Sequence, residues 1–173
     1  MPETWLRPNR RALGLGTLPP LVLSGIGGWM VVGDESVAGG WWRWLGAAVA
    51  LLSAGLVVAL LVQLRRPRVA YGDGRVLFYL QSGPPIAVPV SVVESFFLGR
   101  GPSLLPGQAG TTQKTVNLVA RLSRREPQWA EREVKPALGQ WCDHYVTMRG
   151  TWCEPLNEEL VRRLNRRLKE VSS

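Results

Sequence analysis

Residues 41–68 read WWRWLGAAVALLSAGLVVALLVQLRRPR. Between Trp44 and Leu64 no side chain is ionisable, and only Ser53 and Gln63 are clearly polar. Lipid offers a bare peptide group no hydrogen-bond partner, so a crossing segment must be helical and needs about 20 apolar residues. This stretch has that length. Trp41, Trp42 and Trp44 at one end suit the membrane interface, and Arg65, Arg66 and Arg68 at the other mark the cytoplasmic side. Residues 44–64 are therefore read as a transmembrane helix from which the rest of the chain hangs.

A second apolar run, Ala12 to Val32, precedes it and follows a short basic segment with Arg7, Arg10 and Arg11. Pro19 and Pro20 inside that run predict a kink or local break, because proline removes a donor and clashes one turn back. A cleaved signal peptide competes with this reading, with Ser36-Val37-Ala38 as its cleavage site. The run exceeds a usual signal core in length, which favours a retained helix. The link between the runs carries Asp34 and Glu35 with Arg43 as its one cation, while both outer flanks are rich in arginine. That asymmetry puts both termini in the cytoplasm. Ser24 and Gly28 on the first helix, and Gly46, Ala50 and Ala54 on the second, are spaced so that two backbones can approach closely. The chain divides into a cytoplasmic segment 1–11, a multi-pass hairpin 12–64 with helices 12–32 and 44–64, and a domain 65–173.

That domain holds 17 Arg and Lys against 10 Asp and Glu, in a chain of net charge +8. Such a balance near a membrane favours anionic head groups over nucleic acid. Arg65, Arg66 and Arg68 are the expected head-group contacts, with a pure topology role as the alternative. Cys142 and Cys153 read as free thiols in a cytosolic setting. With His144 they form no usual zinc spacing, so neither a metal nor a cofactor is expected.

Beyond Arg68 the periodicity changes to two. Val69-Ala70-Tyr71 and Arg75 to Leu80 flank Gly72-Asp73-Gly74, a hairpin signal. Ile86 to Val90 alternates, with Pro89 demoting that strand to an edge. Val92 to Leu98 and Thr115 to Leu122 read as strands, with Val116, Leu118, Ala120 and Leu122 on one face. Gly99 to Gln113 reads as a long loop, Glu126 to Val134 as a short helix and Tyr145 to Arg149 as a strand. Asn157 can cap a final helix whose first turn carries Glu158 and Glu159. Leu160, Leu164 and Leu168 recur at four-residue spacing there, with Val161 and Val171 widening the stripe, which must be buried.

Tyr71-Gly-Asp-Gly-Arg75-Val-Leu-Phe, Ile86-Ala-Val-Pro89-Val-Ser-Val-Val93-Glu and Val146-Thr-Met-Arg-Gly150 with the closing helix resemble the bacterial PH-like membrane proteins. There a two-helix hairpin precedes a pleckstrin-homology-like domain. The resemblance covers most of residues 12–171, with Arg124 to Gln140 and the Gly/Pro loop outside its pattern. It implies a membrane-anchored α+β chain, with a small antiparallel barrel or sheet closed by the C-terminal amphipathic helix. It also implies a non-enzymatic module with an unidentified ligand. Inositol-lipid binding is not carried over, since the first turn, Gly72-Asp73-Gly74, has only Arg75 nearby.

The residues themselves offer no nucleophile–base pair, no metal set and no phosphate loop. Trp129, Trp141 and Trp152 could form a partner surface or cover the barrel end. The reading is an inner-membrane scaffold or adaptor for a protein partner, or for a second copy of itself, with no nucleic acid and no small-molecule substrate. Anionic-lipid sensing is the alternative, as is an accessory role in a transporter or enzyme complex.

Overall fold

The computed structural model describes residues 2–32, 40–102 and 114–172. Asp34, Glu35, the Ser36-Val37-Ala38 cleavage motif and most of the expected Gly/Pro loop lie outside these. The chain forms two compact units: Arg10–Arg65, and the segments that flank it on either side.

The first unit is a pair of helices, α1 (Arg10–Val32) and α2 (Trp41–Arg65). α1 is one continuous helix through Pro19 and Pro20, so the expected break is absent. Thr17 Oγ1 donates to the Gly14 carbonyl at 2.6 Å just before the two prolines. The helices are antiparallel: Gly46 of α2 lies against Met30 and Gly27 of α1, and Ala50, further along α2, lies against Gly27. Their closest approach uses Gly27 rather than the expected Gly28. A Cβ on Gly27 would lie 2.7 Å from the Gly46 carbonyl oxygen and the Ala50 nitrogen, whereas one on Gly28 would meet nothing. Leu15, Leu18, Trp29, Leu51 and Leu52 point outward and are exposed. Two apolar helices of this length could each cross a membrane.

The second unit contains two antiparallel sheets. In the first, β1 (Glu3–Leu6), β2 (Val69–Gly72), β3 (Arg75–Phe78) and β4 (Ile86–Pro89) lie in that order. In the second, β5 (Val93–Pro102), β6 (Lys114–Leu122), β8 (Tyr145–Met148) and β7 (Gly139–Cys142) are neighbours in that order. Among the described residues no ladder joins the two sheets, so the expected barrel is not closed. The architecture is α+β, finished by α3 (Glu158–Ser172).

The β2–β3 turn is the one expected. Asp73 and Gly74 both have positive φ, 52° and 72°, as a tight hairpin of right-twisted strands requires. Pro89 ends an edge strand, where its missing donor costs nothing. β5 extends to Pro102, so Gly99 to Pro102 are strand rather than loop. The expected helix over 126–134 is reduced to a single 3-10 turn, Pro127–Trp129.

One core spans both sheets and the last helix. Trp5, Leu6, Val69, Val76, Phe78, Leu80 and Val88 meet Phe96, Leu118, Leu122, Trp141, Val146 and Met148. Leu160, Leu164 and Leu168 of α3 belong to the same cluster. Asn157 Oδ1 accepts from the Leu160 amide at 2.8 Å and caps α3.

Candidate functional site

Three places carry the unusual chemistry: a seam at the N-terminal segment, a tryptophan cluster, and the outer edge of β5.

The seam is made by residues 3–9. β1 pairs with β2, setting Glu3 opposite Tyr71 and Leu6 opposite Val69. The chain then crosses to residues 152–154. Pro8 bridges Cys153, the Asn9 amide donates to the Trp152 carbonyl at 3.1 Å, and the Glu154 amide donates to the Arg7 carbonyl at 3.0 Å. Arg167 binds Glu3 at 3.0 Å, tying α3 to β1. The segment set apart as 1–11 in the sequence thus supplies an edge strand to the domain through Asn9.

Arg68 lies inside this seam. It is 3% exposed, so it cannot be the head-group contact expected of it. Its Nε donates to the Trp152 carbonyl at 3.1 Å, its amide donates to Leu6, and its carbonyl accepts from Tyr79. Burial lowers its pKa. Cys153 is buried beside it, and desolvation pushes that thiol up to about 12, Arg68 opposing the shift and Glu154 adding to it. Cys153 Sγ donates to the Arg149 carbonyl at 3.3 Å. The Arg cluster therefore divides. Arg65 is exposed at the end of α2, Arg66 is half-buried with Nη1 donating to the Ser82 carbonyl at 3.2 Å, and Arg68 is structural.

The tryptophans do not make an open partner face. Trp141 is buried, donates from Nε1 to the Trp129 carbonyl at 2.9 Å, and stacks on Trp129. Its ring edge meets Phe78 at 5.8 Å. Trp129 is packed partly against the core, with the Arg132 guanidinium 4.9 Å from its ring centroid. Trp152 is half-buried at the seam. Nearby, Asp143 and His144 form the β7–β8 turn with φ of 49° and 63°, and neither imidazole nitrogen has a hydrogen-bond partner among the described residues.

The third place was not anticipated. β5 is the edge of the second sheet. Asn165 of α3 reaches it with both ends of its amide: Oδ1 accepts from the Phe96 amide at 2.8 Å, and Nδ2 donates to the Phe96 carbonyl at 2.9 Å. A side chain thus stands in for a neighbouring strand at one residue. Next to it a groove of about 410 Å³ is lined by Phe97, Leu98, Glu158, Val161 and Arg162. Asn165 sits among exposed arginines on a helix, and nothing in its spacing marks it as a strand partner.

Among the described residues no group of three or more His, Cys, Asp or Glu side chains is placed to hold a metal ion. No family model, curated protein or solved structure matches the chain.

Proposed function

We propose that the chain is a membrane-anchored interaction module, a PH-like two-sheet domain that docks a protein partner at the cytoplasmic face of a bacterial inner membrane. The observation that carries this reading is the pairing of β1 with β2. β1 precedes the apolar hairpin and β2 follows it. Strands cannot pair across a bilayer, so two spanning helices leave both flanks on one side and tether the domain at two points. The arginines at 7, 10, 11, 65, 66 and 68, against Arg43 alone in the link, support the cytoplasmic side. Two sheets with a C-terminal helix suit the bacterial PH-like resemblance, and a strand ahead of the hairpin departs from it. The test is in-cell crosslinking at native expression, followed by purification of the full chain in mild detergent. A stoichiometric protein partner or self-association is the expected result, and recovery of the monomer alone counts against the reading.

Anionic-lipid sensing is a second reading, favoured by exposed Arg65 at the end of α2. Each basic residue at an anionic surface contributes ~1 kcal/mol. Reconstitution of the full chain in mixed-lipid nanodiscs tests it: enrichment of anionic lipid that Arg65→Gln abolishes supports it, and equal lipid ratios for both proteins remove it.

A further inference from the structure

The outer edge of β5 has a defined hydrogen-bonding phase. Because Asn165 takes the Phe96 amide and carbonyl, those groups face away from β6. Backbone groups alternate along an antiparallel strand, and β5–β6 register is regular from Ser95 to Pro102. The amides and carbonyls of Leu98 and Arg100 therefore face outward as well. Among the described residues nothing bonds them there. A ten-residue edge strand with free groups is a template for another strand. Here the template runs beside the groove floored by Phe97, Leu98 and Val161, with Phe97 39% exposed. Glu158 and Arg162, 3.9 Å apart, line that groove together, and Arg100, the next outward-facing residue of β5, is exposed with no acidic partner among the described residues.

We infer that the Leu98–Arg100 edge binds an extended acidic–apolar peptide segment of a partner protein, added as a fifth strand to the second sheet. The inference rests on the interaction-module reading and names its docking site. The added strand bonds the amides and carbonyls of Leu98 and Arg100, as in other strand-addition complexes. One apolar side chain of the peptide enters the groove, and flanking Asp or Glu side chains meet Arg100 and Arg162. Asn165 ends the site, since α3 already occupies the edge at Phe96.

The test uses the full chain in nanodiscs and a displayed random-peptide library. Enriched peptides should alternate apolar residues with Asp or Glu. A synthetic peptide of the enriched sequence should slow hydrogen exchange at the Leu98 and Arg100 amides. The Phe97 and Gly99 amides, which face β6, should be slow from the start. Arg100→Glu should weaken the peptide about tenfold, as reversing a charge at an interface does. Leu98→Pro should remove binding, because it deletes an outward donor and leaves the β6 ladder intact. A neutral or basic consensus, or exchange unchanged at Leu98 and Arg100 while a peptide binds, overturns the site and leaves the module reading standing. Slow, concentration-dependent exchange at those amides without peptide makes a second copy the occupant and overturns the peptide assignment. Failure to enrich any peptide, when crosslinking has captured a protein partner, also overturns it.

Discussion

Arg68 and Cys153 sit together where the N-terminal segment closes on residues 152–154, and burial governs both. A guanidinium withdrawn from water needs its remaining hydrogen bonds, so Arg68→Ala should destabilise the domain by about 2–4 kcal/mol, whereas Arg66→Ala should cost under about 1. Urea unfolding of the full chain in detergent, followed by tryptophan fluorescence, measures the difference. Cys153 carries a pH signature. Its thiol is pushed from 9.0 to about 12 in the folded state, so the unfolded thiol ionises first as pH rises. Its contribution is complete below pH 9 and is lost at up to about 1.4 kcal/mol per pH unit through that window. The stability difference between the native chain and Cys153→Ala should therefore shift between pH 8 and pH 10.5. At pH 8 a maleimide should label exposed Cys142 and reach Cys153 only after denaturation.

α3 and β1 are the elements that close the core from opposite ends of the chain. Leu164 is fully buried, and Leu164→Ala should cost about 2–5 kcal/mol through lost transfer energy and the cavity left behind. Arg163 meets Glu154 at 3.8 Å on the surface, and Arg163→Ala should change the urea midpoint little. Equal shifts for the two would mean that α3 is not docked. This helix was readable from sequence because its cap, its acidic first turn and its leucine stripe all fall within contiguous residues. The hairpin and the Asp73-Gly74 turn were readable for the same reason. β1 was not: Glu-Thr-Trp-Leu is too short to show a period, and its partner lies beyond both apolar helices. β7 escaped because its turn uses Asp143 and His144 at positive φ, where glycine or asparagine is the usual signal. Burial of Arg68 is likewise a long-range fact, since beside Arg65 and Arg66 it reads as one more topological charge. The β5 edge needed strand order and the Asn165 contact, neither of which has a local signature.

For the whole molecule the decisive link is β1 with β2, because it couples the fold of the domain to the path of the chain. Trp5 is 1% exposed, stacks on Tyr71 at 5.3 Å and meets Phe96 edge-on at 6.4 Å. Removing a buried tryptophan costs about 3–5 kcal/mol, against about 5–15 for a small domain in total. Deleting residues 2–9 should thus leave the domain protease-sensitive, and a fragment starting at Val69 should fail to fold. The same pairing makes a topological demand. If α1 and α2 both span, Gly40 in the link and Cys142 in the domain lie on opposite sides of the membrane. In a chain carrying Gly40→Cys, a membrane-impermeant maleimide applied to the face opposite the domain should label position 40 and spare Cys142. Permeabilising the membrane should then expose Cys142. Labelling of both positions from the same face would mean that the helices do not both cross, and the two-span anchor would fall with it.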